Sequence, residues 1–221
     1  MKKFLMVLIL GCSNMVLAAD SSPVVKADVG GDQKVVFAFK DADLSTVISE
    51  IGKITGKTFI VDPAVHGKIT IQPQGPMTVD EAYKAFNIAL MINGYSIVDI
   101  GNFTAIEQAQ NIQRTQIPVY EKLPADLPAR MITYVRKLKY ASAKEIYNSM
   151  GPILQSRMGE MRVFEGNNEL VTSDFAPNQY RIAELLDQFD TPEAAANSLK
   201  WKKRDAEAAA NPKNNRHTEK Q

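Results

Sequence analysis

The sequence has a single cysteine, Cys12, and only two histidines, His66 and His217, among 221 residues. One cysteine excludes an intramolecular disulfide, and two histidines far apart do not give the Cys/His spacing of a zinc site. No convincing Ser/His/Asp set or glycine-rich phosphate loop is present either. We therefore expect no enzymatic activity, no cofactor and no metal, and we expect a protein that docks onto other proteins.

An excess of charge of one sign is also lacking, because 26 Lys and Arg stand against 25 Asp and Glu. Binding to a nucleic-acid backbone needs a dense basic surface. The balanced composition therefore predicts no nucleic-acid partner.

A long apolar run is missing as well. The longest segment near the N-terminus, Phe4 to Leu10, is far shorter than the roughly 20 residues that span a bilayer. With lysines before it and small residues after it, this segment predicts a signal peptide over residues 1–19. A second interpretation stays open, since the residues ending at Cys12 resemble a lipoprotein box in which Cys12 is lipidated. Both interpretations predict export, the second as a lipoprotein anchored to the outer membrane.

Residues 34–108 show the pattern β-α-β-β-α-β-β of a small first domain. In the strand from Lys34 to Lys40, Val35, Phe37 and Phe39 alternate with Val36, Ala38 and Lys40, as in a half-buried strand. Residues that begin and end the later elements occur in order. They are Asp43 as a helix N-cap, Gly56 as a helix stop, Thr78 with Glu81 as a capping box, and Gly101-Asn102 as a hairpin turn.

A linker over residues 109–129 separates this domain from a second one over residues 130–192, with the order β-α-β-β-α. Its helix begins at a second capping box, Ser142 with Glu145, and we expect Pro152 to kink or divide that helix. The tail over residues 193–221 has few large apolar side chains, so we expect it to be disordered when free. A helix from Ala194 to Ala210 is expected to form there on a partner.

Several stretches in this order resemble one protein family. They are Phe39 to Leu44, Gly56 to Pro63, Gly67 to Ile71 and Asn93 to Tyr95 in the first domain, and Ala141 to Ile146 and Leu185 to Asp190 in the second. The chain is similar to the first and second periplasmic N-terminal domains of bacterial secretins, above all those of type II secretion protein D. The resemblance implies an α+β fold in which the second domain is KH-like.

The resemblance also implies a function and partners. It predicts a non-enzymatic periplasmic component of a type II-like secretion or type IV pilus system. The partners would be an inner-membrane clamp protein, a secretin, or both, and a homo-oligomer or ring is compatible with it. In such domains the clamp protein binds at a sheet edge, which here points to Val36, Ala38 and Lys40 as partner-binding residues. We expect the chain not to form the outer-membrane pore, because no alternating strands follow Pro192.

Other interpretations stay open beside this one. The first domain also resembles the N-terminal signalling domain of TonB-dependent receptors, which would make the chain a signalling adaptor. The KH-like order of elements suggests RNA binding as another function. However, Gly151-Pro152-Ile153-Leu154 lacks the second glycine of the nucleotide-clamping loop. Membrane contact is expected only through a lipidated Cys12 or the basic stretch from Lys200 to Arg204.

Overall fold

The computed structural model of the chain describes residues 34–112 and 117–210. The predicted signal peptide, Cys12 and residues 211–221 of the tail lie outside these residues. The strands are β1 (Lys34–Val35), β2 (Phe39–Asp43), β3 (Thr58–Val61), β4 (Lys68–Ile71), β5 (Met77–Thr78), β6 (Tyr95–Ile100), β7 (Phe103–Gln108), β8 (Val119–Tyr120), β9 (Met131–Lys137), β10 (Glu160–Phe164) and β11 (Glu169–Phe175). The helices are α1 (Leu44–Thr55), α2 (Val79–Ile92), α3 (Ala109–Ile112), α4 (Ala143–Leu154), α5 (Ala176–Phe189) and α6 (Pro192–Ala210). None of these helices is both long enough and apolar enough to cross a membrane.

The first module packs α1 and α2 between small sheets. Strand β3 pairs in parallel with β7, which pairs antiparallel with β6, while β2 pairs with β4 and β1 with β5. One apolar core joins these elements, with Phe37, Phe86 and Ile51 fully buried at its centre. The predicted α+β order is confirmed.

The helix boundaries of this module follow the local signals in the sequence. Helix α1 begins after Asp43, which occupies the predicted N-cap position but makes no capping hydrogen bond with its side chain. The helix ends at Gly56, whose φ of 68° is left-handed, a conformation that glycine adopts without strain. At the start of α2, Thr78 and Glu81 form both halves of the capping box. Each half pairs a backbone amide that the helix itself leaves without a partner.

The strand predicted from Lys34 to Lys40 is instead two strands with an unpaired stretch between them. Val35 lies opposite Met77, whereas Phe39 lies opposite Ile71. The two halves therefore pair with different parts of the chain, and alternation alone could not show this. The alternation itself is confirmed, because Val35, Phe37 and Phe39 are all buried.

The second module has the predicted order β9-α4-β10-β11-α5. Its sheet runs β10-β11-β9-β8, with β8 parallel to β9. The two helices cover one face, where Leu138, Leu154, Leu170 and Leu186 are buried. The interior also holds Gln179, whose amide bonds Thr172 and the carbonyl of Ile132.

Helix α4 differs from the expectation at both ends. Ser142 Oγ accepts from the amide of Glu145 at 3.4 Å, but the Glu145 carboxylate turns to Ser198 and Lys202 of α6. The expected reciprocal half of the capping box is therefore replaced by a contact with α6. The helix also runs undivided past Pro152 to Leu154, because Leu154 is fully buried and holds the last turn against the core.

A third buried cluster joins the two modules, in a region where a linker is expected. Helix α3 lies within residues 109–129, and both Ala109 and Ile112 are fully buried. They pack with Val98 of β6 and with Met131 and Phe175 of the second module. The amide of Met131 donates to Ser96 Oγ at 2.8 Å. The modules are thus packed against each other as well as linked in sequence.

Residues 192–210 form α6, so the helix expected from Ala194 to Ala210 on a partner is present here without a partner chain, where disorder is expected of the free tail. Ser198 and Lys202 anchor this helix to Glu145. Leu199 nevertheless remains 60% exposed, so this apolar side chain of α6 does not enter the core. Residues 211–221 lie outside the described part of the chain.

Replacing Met131 by alanine tests the contact between the modules. Met131 is fully buried in the third cluster, and truncating such a side chain removes about 2 to 5 kcal/mol of stability. Urea unfolding should show this loss, while Ile153→Ala, at a position 66% exposed, should change stability by less than about 0.5 kcal/mol. Equal effects of the two variants would contradict a packed interface.

Asp190 gives a prediction of pH dependence. Its partial burial acts to raise the pKa, but backbone hydrogen bonds from Tyr140, Lys139 and Ala141, together with the charge of Arg136, outweigh this effect and lower the pKa. A lowered pKa in the folded state adds stability above the ordinary carboxyl range, and this stability is lost as pH falls through the lowered pKa. The difference in unfolding free energy between wild type and Asp190→Asn should therefore be largest near pH 7 and shrink in acid. A constant difference down to pH 3 would contradict this role.

Candidate functional site

The residues singled out as partner-binding lie along one border of the first module. Val36 and Ala38 occupy the unpaired stretch between β1 and β2, and Lys40 is the second residue of β2. Val36 is half-buried, whereas Ala38 and Lys40 are exposed. All three point away from the buried Phe37 and Phe39. The structure thus places them together on the surface, as the alternation predicts.

A β-bulge reshapes this border. Between Phe39 and Ala42, strand β2 advances three residues while β4 advances two, from Ile71 to Ile69. The bulged stretch of β2 contains Asp41, which has a left-handed conformation with φ of 50°. The amide of Asp41 donates to Thr70 Oγ1 at 3.0 Å. A bulge of this kind twists a strand and re-aims its side chains.

The bulge carries an ion pair. Lys68 Nζ of β4 lies 2.9 Å from Asp41 Oδ2, and both side chains are well exposed. The hydrogen bond and the charge of Asp41 raise the pKa of Lys68, and Asp43 adds to the effect. The ammonium group is therefore charged at neutral pH.

We call Val36, Ala38, Lys40, Asp41 and Lys68 the β2 border. Strand β2 pairs with β4 on one side only, and no other strand of the described residues pairs with it. Such an edge offers backbone amides and carbonyls to an extended segment of a partner. Apolar Val36 and Ala38 lie beside charged Lys40, Asp41 and Lys68, so the border has the chemistry of a protein-binding surface.

The sequence did not single out Asp41 and Lys68 as part of this border. Their pairing depends on the register between β2 and β4, which no local pattern specifies. The residue type gives a weak signal for the bulge, because Asp adopts left-handed conformations more readily than most residues.

Elsewhere, the described residues hold no group of three or more His, Cys, Asp or Glu placed to bind a metal ion. A groove of about 430 Å³ lies between α4 and α6, over Ile146, Met150 and Phe189. Its charged groups are Glu145 and Lys202, which pair with each other. The groove therefore presents apolar surface and one satisfied ion pair.

Comparison with known proteins shows that the first module is similar to one family of domains. Residues 37–112 match the family model of the GspD-like N0 domain. Over 151 residues the chain is 26% identical to the secretin XcpQ of Pseudomonas aeruginosa, covering 68% of this chain and 22% of that protein. It is 24% identical over 155 residues to the secretin ExeD of Aeromonas hydrophila, covering 69% of this chain and 23% of that protein. The chain thus spans less than a quarter of the length of these relatives.

A solved structure has the same fold. The outer-membrane complex of the Klebsiella pneumoniae type II secretion system, which contains PulD, PulS and the HR domain of PulC, aligns with a TM-score of 0.62 at 22% identity. The alignment covers 70% of this chain and 26% of the matched chain. It therefore includes elements beyond the N0 domain.

The bulge at Asp41 can be tested by two substitutions. Valine is strained at a φ of 50°, so Asp41→Val should lower the unfolding free energy by about 1 to 2 kcal/mol. Glycine adopts this conformation freely, so Asp41→Gly should leave stability close to wild type although the ion pair with Lys68 is lost. Thermal or urea unfolding measures both, and a Val variant as stable as the Gly variant would contradict the left-handed bulge.

Proposed function

We propose that this chain, whose first module matches the GspD-like N0 domain and which is similar to the secretin XcpQ, acts as a non-enzymatic periplasmic component of a type II-like secretion system. It would bind an inner-membrane clamp protein through the first module. It would contact the secretin through the second module. The single observation that carries the proposal is the match of residues 37–112 to the GspD-like N0 domain.

The proposed partner is supported by the PulD assembly. That structure holds PulD together with the HR domain of PulC, and its likeness to this chain runs through both modules. A clamp protein with a domain like the HR domain of PulC is therefore the first candidate partner for the first module of this chain. The type II setting is favoured over a type IV pilus because the matching family model describes the GspD N0 domain.

The β2 border is the proposed contact surface. A partner strand added to β2 would pair with its free backbone edge, and Val36 and Ala38 would supply apolar contacts. Lys40, Asp41 and Lys68 would select a partner of complementary charge, since charged groups at an interface chiefly determine specificity and association rate. The bulge at Asp41 limits the length of strand that can be added, which also protects the free chain from edge-to-edge aggregation.

The experiment is a binding titration with purified periplasmic domains of the clamp protein from the same organism's type II system. Ala38→Arg and Lys40→Glu each alter an exposed position of the β2 border, and each should weaken binding at least tenfold. The matched control is Tyr147→Arg, a change at a residue of α4 that is 37% exposed, which should bind as wild type does.

Three outcomes would count against this proposal. Binding to neither the clamp protein nor the secretin would remove the proposed role. Tight binding that Ala38→Arg and Lys40→Glu leave unchanged would remove the β2 border. Binding only to the corresponding pilus protein would replace the type II assignment with the pilus one.

A further inference from the structure

Strand β3 forms a second open edge, on the other sheet of the first module. It pairs with β7 on one side, and no other strand of the described residues lies on its other side. The amide of Asp62 points toward β7, where it bonds the carbonyl of Ile106 at 3.0 Å. Backbone amides and carbonyls of successive residues in a strand point to opposite edges. The amides and carbonyls of Phe59 and Val61 therefore point away from β7, toward the open edge.

The side chains along this edge are apolar and poorly covered. Ile60 is 56% exposed and Val61 is 39% exposed. On the face of the sheet that carries Ile60, Phe103 of β7 and Ile100 of β6 are also about half exposed. A protected edge usually carries charges or proline within the strand, but here Lys57 and Pro63 stand only at its ends.

The rest of this sheet face is already an interface. Val98 and Ser96 of β6 lie on the same face as Ile60, and both are covered by the second module through Phe175 and Met131. The exposed apolar stripe formed by Ile60, Phe103 and Ile100 therefore lies beside a surface of the same sheet face that the second module buries. The stripe ends at the free edge of β3.

We propose that β3 pairs antiparallel with β3 of a second copy of this chain, about a two-fold axis at Ile60. In this register Ile60 lies opposite Ile60 of the second copy, and Phe59 lies opposite Val61. The outward amides and carbonyls of Phe59 and Val61 then exchange about four hydrogen bonds, as hydrogen-bonded pairs of an antiparallel ladder do. The edge is self-complementary, which a two-fold interface requires.

The charges at the ends of β3 favour this direction of pairing. Lys57 precedes the strand and Asp62 follows it. Antiparallel pairing brings the lysine end of each strand beside the aspartate end of the other, and it places Thr58 opposite Asp62 of the second copy. Parallel pairing would instead bring lysine beside lysine and aspartate beside aspartate, which like-charge repulsion disfavours.

The inference uses a different edge from the β2 border and does not rest on the proposed function. Its test needs the chain alone, with no secretion partner. The contact is small, so it belongs to the weak class of interfaces. Concentration-dependent dimerisation is the expected behaviour.

Cysteine cross-linking tests the register in the full chain with Cys12 replaced by serine. Opposite residues in a non-hydrogen-bonded pair have Cα atoms about 4.5 Å apart, within the range of about 4.4 to 6.8 Å that a disulfide allows. Ile60→Cys should therefore give at least tenfold more disulfide-linked dimer than Val61→Cys. Two copies of Val61 would be diagonal neighbours about 7 to 8 Å apart. Ile153→Cys, at an exposed site on α4, is the control for random collision.

Sedimentation equilibrium gives the second measurement. Ile60→Lys should raise the dissociation constant of the dimer at least tenfold, while Ile153→Lys should leave it unchanged. Lys57→Glu and Asp62→Lys should each weaken the dimer by about two- to fivefold, and combining both changes should restore it. A chain that stays monomeric at its highest soluble concentration would overturn the proposal, as would equal disulfide yields from Ile60→Cys and Val61→Cys.

Discussion

The packing of the second module onto the outer face of β6 determines which surfaces of this protein remain free. Val98, Met131 and Phe175 form the apolar centre of this contact, and Arg130 adds an ion pair to Asp99 at 2.7 Å. The contact buries Ser96 and Val98 on a sheet face of the first module. The β2 border and the β3 edge lie outside it and remain available to partners.

Open sheet edges carry a risk, since exposed backbone groups also invite aggregation. The two edges of the first module limit this risk in different ways. At the β2 border, Asp41 forms a bulge that interrupts regular pairing, and Lys68 adds charge beside it. The β3 edge is only four residues long and ends before Pro63. Each edge is thus long enough for a specific contact but too short for an extended sheet.

Elements specified by neighbouring residues could be predicted from the sequence, and elements specified by distant contacts could not. The capping box of Thr78 and Glu81 and the Gly101-Asn102 turn depend on residues a few positions apart, so their patterns are visible. The division between β1 and β2 depends on pairing with Met77 and Ile71. The same limit applies to the candidate site. The outward positions of Val36, Ala38 and Lys40 followed from alternation, whereas the pairing of Asp41 with Lys68 follows from register.

We propose that the first module binds an inner-membrane clamp protein at the β2 border. Hydrogen–deuterium exchange of the chain, with and without the clamp protein's periplasmic domain, tests this most directly. Exchange should slow on binding in peptides that cover residues 36–43, with little change in β10 or β11. Slowed exchange confined to the second module, with residues 36–43 unaffected, would contradict it.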